Sequence, residues 1–198
     1  ACARARLLSL RFTSSRRRAR ARLQLSLPLT PCTCPYLTLG APLRFCCSRA
    51  LISYFLTVGD WTARLWSDDL STPIMTSRYH SSYLTAGCWS PSRPGVFFVA
   101  RSDGVVDVWD YYHRQNEVAL SHKVGDAPLS CIALSGESTS TDRGATGPSA
   151  GKLMAVGDAE GTVSLVQLSD SLALPQANER AAIVGMFERE TKREKNLN

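Results

Sequence analysis

From residue 54 onward, apolar and polar positions recur in blocks that resemble one another. Three segments align: Phe55-Leu-Thr-Val-Gly-Asp-Trp-Thr-Ala-Arg-Leu-Trp66, Phe97-Phe-Val-Ala-Arg-Ser-Asp-Gly-Val-Val-Asp-Val-Trp109 and Leu153-Met-Ala-Val-Gly-Asp-Ala-Glu-Gly-Thr-Val-Ser-Leu-Val166. Each reads as an apolar strand, a tight turn on Gly and Asp, and a second strand. Asp-Gly and Gly-Asp supply the positive-φ positions that hairpin turns need. The second strand alternates as a half-buried strand should, with Val106 and Val108 inward against Asp107, and Val163 and Leu165 inward against Ser164. Between the hairpins, 84–89 and 129–134 are further strands, the first stopped at Ser90-Pro91 because proline cannot donate to a ladder.

The spacing then decides the fold class. Trp66 and Trp109 lie 43 residues apart, inside the roughly 40 to 45 of a four-stranded WD-type blade. The next unit is longer, and the small, polar, Pro-containing segment 135–151 accounts for the excess as a loop insertion. The reading is all-β: about two and a half blades of a WD-repeat β-propeller over 51–175. A propeller needs at least four blades, so these alone would leave sheet edges and apolar faces exposed. Asp60, Trp66, Asp103, Gly104, Trp109, Asp110, Gly157 and Asp158 are the structural repeat positions. His80 and, less clearly, His122 precede the first strand of a unit, and His80 is expected to hydrogen-bond to Asp103 in the turn. The tryptophans are expected in the core, except Trp61 at a turn tip. After Pro175 the period changes. Residues 178–198 read as a charged helix with an apolar patch of Ala181, Ala182, Met186 and Phe187, and with pairs such as Glu188/Lys192 one turn apart. Such a helix either stays solvated or docks on a partner.

Charge divides the chain. Residues 1–59 hold ten Arg and neither Lys nor an acidic residue, whereas residues 60–198 hold 13 basic and 17 acidic residues. The net charge of +6 thus describes neither part. The Arg/Cys/Pro-rich arm 1–50 is open to several readings: a disordered arm, translated GC-rich non-coding sequence (the first Asn and Lys are Asn116 and Lys123), or an organellar transit peptide. A nucleic-acid arm fits less well, since interleaved aromatic platforms are missing. Five of the seven cysteines lie in the arm without zinc-site spacing, while Cys88 and Cys131 are expected to be buried on strands. Metal, cofactor, small-molecule substrate and membrane span all lack their parts. Gly147-Pro-Ser-Ala-Gly151-Lys152 is one residue short of a phosphate loop and precedes a strand, so it is rejected. The expectation is a non-enzyme.

Tyr54-Phe-Leu-Thr-Val-Gly-Asp-Trp61, Cys88-Trp-Ser-Pro-Ser-Arg-Pro94 with Asp107-Val-Trp-Asp110, and the tail Met186-Phe-Glu-Arg-Glu-Thr-Lys-Arg-Glu-Lys195 resemble the dynein intermediate chains, the tail being similar to the axonemal outer-arm branch. The resemblance covers residues 54–198, not 1–50. It implies a non-catalytic scaffold in the cilium or flagellum axoneme, in the cytoplasm and cytoskeleton. Such a scaffold binds dynein heavy chain and a second intermediate chain, and reaches the microtubule indirectly. Loop tips and the terminal helix would then supply the contacts: Trp61, Arg101, Glu160, Phe187, Arg189, Lys192 and Arg193. Two alternatives stand beside it: a generic WD-repeat scaffold in cargo transport or signalling, and an imported or nucleic-acid-binding protein that uses the Arg-rich arm.

Overall fold

The computed structural model describes residues 6–8, 44–47, 51, 53–135 and 152–197. They form three antiparallel four-stranded sheets, the blades of a WD40-like propeller, followed by a helix. Blade A joins β2 (Arg44–Cys47), β3 (Tyr54–Gly59), β4 (Thr62–Ser67) and β5 (Met75–Thr76). Blade B joins β6 (Leu84–Trp89), β7 (Val96–Arg101), β8 (Val105–Asp110) and β9 (Leu120–Lys123). Blade C joins β10 (Leu129–Leu134), β11 (Leu153–Asp158) and β12 (Val163–Gln167), with β1 (Arg6–Leu8) beside β12. The three hairpins and both intervening strands therefore form where the pattern put them. Blades A and C are completed by strands from within 1–50, which the sequence reading had set apart; the rest of that arm and the insertion at 136–151 lie outside the described residues. The short helix α1 (Asp170–Ala173) leads to α2 (Glu179–Leu197).

The hairpins close as their turn residues require. Asp60 adopts φ 53° between the paired Gly59 and Thr62, a left-handed conformation that aspartate tolerates. Gly104 has φ 82°, and a Cβ there would meet the Gly125 carbonyl oxygen at 2.0 Å. Only glycine fits that turn.

Blade B is central, and its sequence differs accordingly. Every residue from Val96 to Ala100 is fully buried, as expected of a continuous apolar run covered on both faces. Phe97 and Val99 face blade A with Leu56, Val58 and Leu65, while Val96, Phe98 and Ala100 face blade C with Met154, Val156 and Val166. Each such Val, Leu or Phe contributes roughly 1.5–3 kcal/mol by leaving water. Asp107, read as the outward side of an alternating strand, is also fully buried. Blade C departs from expectation in the other direction. Val163, Leu165 and Cys131 are exposed, and Val166 is the inward residue, because among the described elements only blade B stacks on this sheet.

Helix α2 does not stand free in solvent. Ile183, Met186 and Phe187 are buried against the seam between blades A and B, while Ala181 and Ala182 point outward. The apolar patch read from the sequence was thus rotated from the true one, which is Ile183, Met186, Phe187 and Thr191. Its ion pairs differ too. Arg193 meets Glu190 at 3.0 Å and Glu194 at 3.6 Å, and Lys195 reaches back to Asp69 at 3.1 Å.

Candidate interaction surface

The hairpin turns of the blades and the loops between blades meet at one end of the molecule. Backbone bonds fix this arrangement: His80 N–H donates to Trp61 O (3.0 Å), Leu84 N–H to Asp60 O (2.8 Å), Ser102 N–H to Tyr83 O (2.8 Å) and Ala159 N–H to Pro128 O (2.8 Å). Trp61, at the tip of the β3–β4 turn, is half-buried and packs against Tyr83 with ring centroids 4.3 Å apart. Tyr83 is 55% exposed and Tyr79, in the same inter-blade loop, 83% exposed. Trp61 and Tyr83 thus form an aromatic patch beside the exposed Asp60. Sequence reasoning found Trp61 but not the two tyrosines, although Tyr79 and Tyr83 flank the Ser-rich run between two predicted strands.

Behind this patch lies a polar network. His80 Nδ1 is 3.0 Å from Asp107 Oδ2, not bonded to Asp103 as the repeat pattern suggested. The physical reason is burial: the His80 and Asp107 side chains are both enclosed, whereas Asp103 stands partly exposed at the turn, where the longer Arg101 side chain meets it. Asp107 also accepts from Ser121 Oγ at 2.6 Å and from Arg101 Nη1 at 3.2 Å. Burial alone would raise its carboxyl. The hydrogen bonds from His80 and Ser121 and the Arg101 charge outweigh burial and hold Asp107 below the ordinary carboxylate range. Burial likewise opposes the charge on Arg101, yet Asp103 and Asp107 keep it firmly protonated. Arg101 donates further to Ser81 at 2.6 Å and Ser82 at 3.1 Å. Read as a partner contact, it serves first to tie the turn to the inter-blade loop. His122 sits on β9, ahead of β10 of the next blade, and its buried Nε2 has no partner among the described residues.

A testable consequence follows for acid stability. Since the folded carboxyl of Asp107 lies below its free value of 3.8, the unfolded chain takes up this proton first. The contribution is complete above the unfolded pKa and disappears as pH falls through the folded one. Urea midpoints of wild type and Asp107→Asn are expected to differ at pH 6 and to converge below about pH 4. A constant difference across that window would rule out the linkage.

The tryptophans hold equivalent places. Trp66 stacks on Phe55 (6.1 Å, 3°) and Trp109 on Phe97 (5.8 Å, 4°). Trp66 Nε1 donates to Thr57 Oγ1 at 2.8 Å. On blade B the register puts Val99 where blade A has Thr57, so the buried Trp109 Nε1 finds no partner among the described residues. In blade C, Asp158 Oδ1 accepts from Glu160 N–H (3.0 Å) and Thr162 N–H (2.7 Å), which leaves Glu160 exposed at the turn. Gly157 allows Cys131 to approach, since a Cβ would lie 2.6 Å from its Sγ.

The opposite end is organised by a residue that the sequence reading did not single out. Arg93, 1% exposed, lies between Asp110 and Glu179, both also buried. Its Nε donates to Glu179 Oε1 and Oε2 at 3.1 and 2.9 Å. Nη1 and Nη2 donate to Asp110 Oδ2 and Oδ1 at 3.0 and 3.3 Å, and Nη1 also reaches Ser171 O at 2.8 Å. Asp110, the acidic residue of the Trp-Asp signature, is thereby an anchor for the first turn of α2. Gly95 leaves room for that helix, because a Cβ would lie 2.9 Å from Ile183 Cδ1. Phe187 is fully buried between Tyr54 (5.0 Å) and Tyr111 (6.0 Å), so it serves this chain's own core and is closed to a partner. Burial pushes the Tyr111 hydroxyl well above its usual range. Arg189, Lys192 and Arg193 remain exposed on the outer face of the helix.

Residues 48–168, the bulk of these blades, match the family described as "Dynein axonemal intermediate chain 3 WD40 domain". The chain belongs to the axonemal dynein intermediate chain family. Over 146 residues, 73% of this chain, its sequence is 47% identical to the "Dynein, 70 kDa intermediate chain, flagellar outer arm" of Chlamydomonas reinhardtii. It is 48% identical over 144 residues to "Dynein intermediate chain 3, ciliary" of Heliocidaris crassispina, and 44% identical over 144 to "Dynein axonemal intermediate chain 2" of Homo sapiens. In both cases 72% of the chain is covered. This intermediate chain sequence spans 24% of the Chlamydomonas protein's length and 22% of the other two.

Proposed function

We propose that this chain is a non-catalytic scaffold subunit of an axonemal dynein motor, working in the cilium or flagellum. It binds dynein heavy chain, pairs with a second intermediate chain, and reaches the microtubule through them. The observation that supports this reading is near-50% identity across the blades to relatives named for the flagellar outer arm and the cilium. The WD-repeat units then act as a rigid mount, and their exposed features are the contact candidates. The Trp61–Tyr83 patch is the strongest of these, since tyrosine and tryptophan supply large contact area at low entropy cost and dominate interface hot spots. Arg189, Lys192 and Arg193 on α2 form a second candidate surface.

Tagged chain expressed in ciliated cells is expected to co-purify with dynein heavy chain. Recovery of cargo-transport or signalling proteins without any dynein subunit would instead favour the generic WD-repeat scaffold. Within a positive result, Trp61→Ala with Tyr83→Ala is expected to reduce heavy-chain recovery at least tenfold, the loss of about 1.4 kcal/mol or more that a hot spot carries. Undiminished recovery by this folded variant would move the contact elsewhere.

A further inference from the structure

The backbone bonds that bring Trp61 and Tyr83 together also fix a carboxylate beside them. Leu84 N–H donates to Asp60 O at 2.8 Å, which ties the chain neighbour of Tyr83 to the chain neighbour of Trp61. Asp60 is exposed, and among the described residues its carboxylate meets neither a cation nor a hydrogen-bond donor. The other acids of the A–B junction are taken: Asp103 by Arg101, and Asp107 by His80, Ser121 and Arg101. The turn needs a residue that accepts φ 53° at position 60, which asparagine or glycine would also do, but it makes no use of the charge.

Two aromatic rings beside a free carboxylate favour one kind of ligand. Ring faces attract a cation that comes within about 6 Å of their centroids, and the carboxylate adds a direct charge. A neutral or acidic group gains from neither. The surroundings have the same sign. Segments 60–61, 77–83, 102–104, 123–128 and 158–162, the hairpin turns and inter-blade loops of this end, together hold five carboxylates and two cations. Their field draws basic segments in and turns acidic ones away.

We propose that the Asp60–Trp61–Tyr83 patch receives a side-chain cation from a partner protein, an arginine guanidinium or a lysine ammonium laid against the rings and paired with Asp60. The inference rests on the reading of this patch as a contact surface and adds what the contact recognises. Arginine is the better fit of the two, because its planar guanidinium both stacks on a ring and bonds a carboxylate.

Isotope-labelled full chain is titrated with peptides in which glycine alternates with Arg, Lys, Gln or Glu. The Trp61 indole N–H signal, assigned by its loss in Trp61→Phe, is expected to shift saturably with the Arg and Lys peptides and not with the other two. Asp60→Asn, which keeps a residue tolerant of the turn, is expected to weaken Arg-peptide binding about threefold. Asp126→Asn, the same charge change in another loop of this end, is expected to weaken it less than about 1.5-fold, within the small effect of a distant exposed charge. Tyr83→Leu is expected to weaken it about two- to fivefold, whereas Tyr83→Phe, which keeps the ring, is expected to retain it. Equal shifts with the Gln peptide, no saturable shift with either basic peptide, or equal weakening by Asp60→Asn and Asp126→Asn would each overturn the cation site. Heavy-chain recovery separates this inference from the reading beneath it. If Trp61→Ala with Tyr83→Ala abolishes recovery while the peptides show no preference for a cation, the contact stands and the cation site falls. If the peptides bind as expected and that double variant recovers heavy chain undiminished, the cation site stands and serves another partner.

Discussion

Arg93→Ala is expected to destabilise the folded chain by about 3–5 kcal/mol, the usual cost of removing one partner from a buried ion pair. The guanidinium is the only group among the described arginines and lysines that bonds the buried carboxylates of Asp110 and Glu179, with His113 Nε2 farther off at 3.9 Å from Asp110. Without it two negative charges remain in a poorly solvated space, Glu179 keeps only its bond from the Gln176 N–H, and the Ser171 carbonyl loses a donor. Lysine is not an adequate substitute, because its compact ammonium cannot present planar donors to two carboxylates on opposite sides. The cluster carries one negative charge in excess, so the asymmetry is itself a test. Glu179→Gln leaves Arg93 paired one-to-one with Asp110 and is expected to cost clearly less than Arg93→Ala. Urea denaturation at one fixed protein concentration measures both. Equal costs, or an Arg93→Ala effect below about 1 kcal/mol, would place this triad among the weak surface pairs.

Phe187→Ala is expected to cost a similar amount, about 3–5 kcal/mol, by the loss of buried aromatic area together with the cavity left behind. The ring is wedged between Tyr54 and Tyr111, and the surrounding strands are fixed by their own ladders, so the site has little freedom to collapse. Arg189→Ala and Lys192→Ala, on the exposed face of the same helix, are expected to stay within about 0.5 kcal/mol of wild type. Thermal unfolding followed by circular dichroism separates the two classes. If Phe187→Ala proved as mild as the exposed substitutions, α2 would not be docked on the A–B seam.

What the sequence made legible was local. Turn residues such as Asp103-Gly104 announce a hairpin because few residues accept the required backbone angles, and strands either side must then pair. Blade repetition is local in the same sense, as a spacing along the chain. Which of two aspartates His80 would meet was not legible, since Asp103 and Asp107 lie on one hairpin and the choice turns on which of them is buried beside the ring. The inward direction of β12 was not legible either. Strand alternation defines two faces but not which of them has a neighbour, and in blade C the apolar Val163 and Leu165 lie on the uncovered one. Arg93 gave no signal at all: one arginine in a proline-flanked loop looks solvated until Glu179, 86 residues later, arrives beside it. Ile183 was missed because the helix was read with its small alanines inward, and only the docking angle set by that ion pair and by Gly95 decides the face.

The docking of α2 also sets an order of events during synthesis. Its bonds reach back to Asp69, 126 residues before Lys195, and to Arg93, so the element that seals blades A and B leaves the ribosome after blade C has been made. Until then Tyr54, Tyr111 and the ends of blades A and B face solvent as an unfinished apolar surface. A nascent chain stalled before α2 is complete therefore still presents aromatic surface that chaperones can grip.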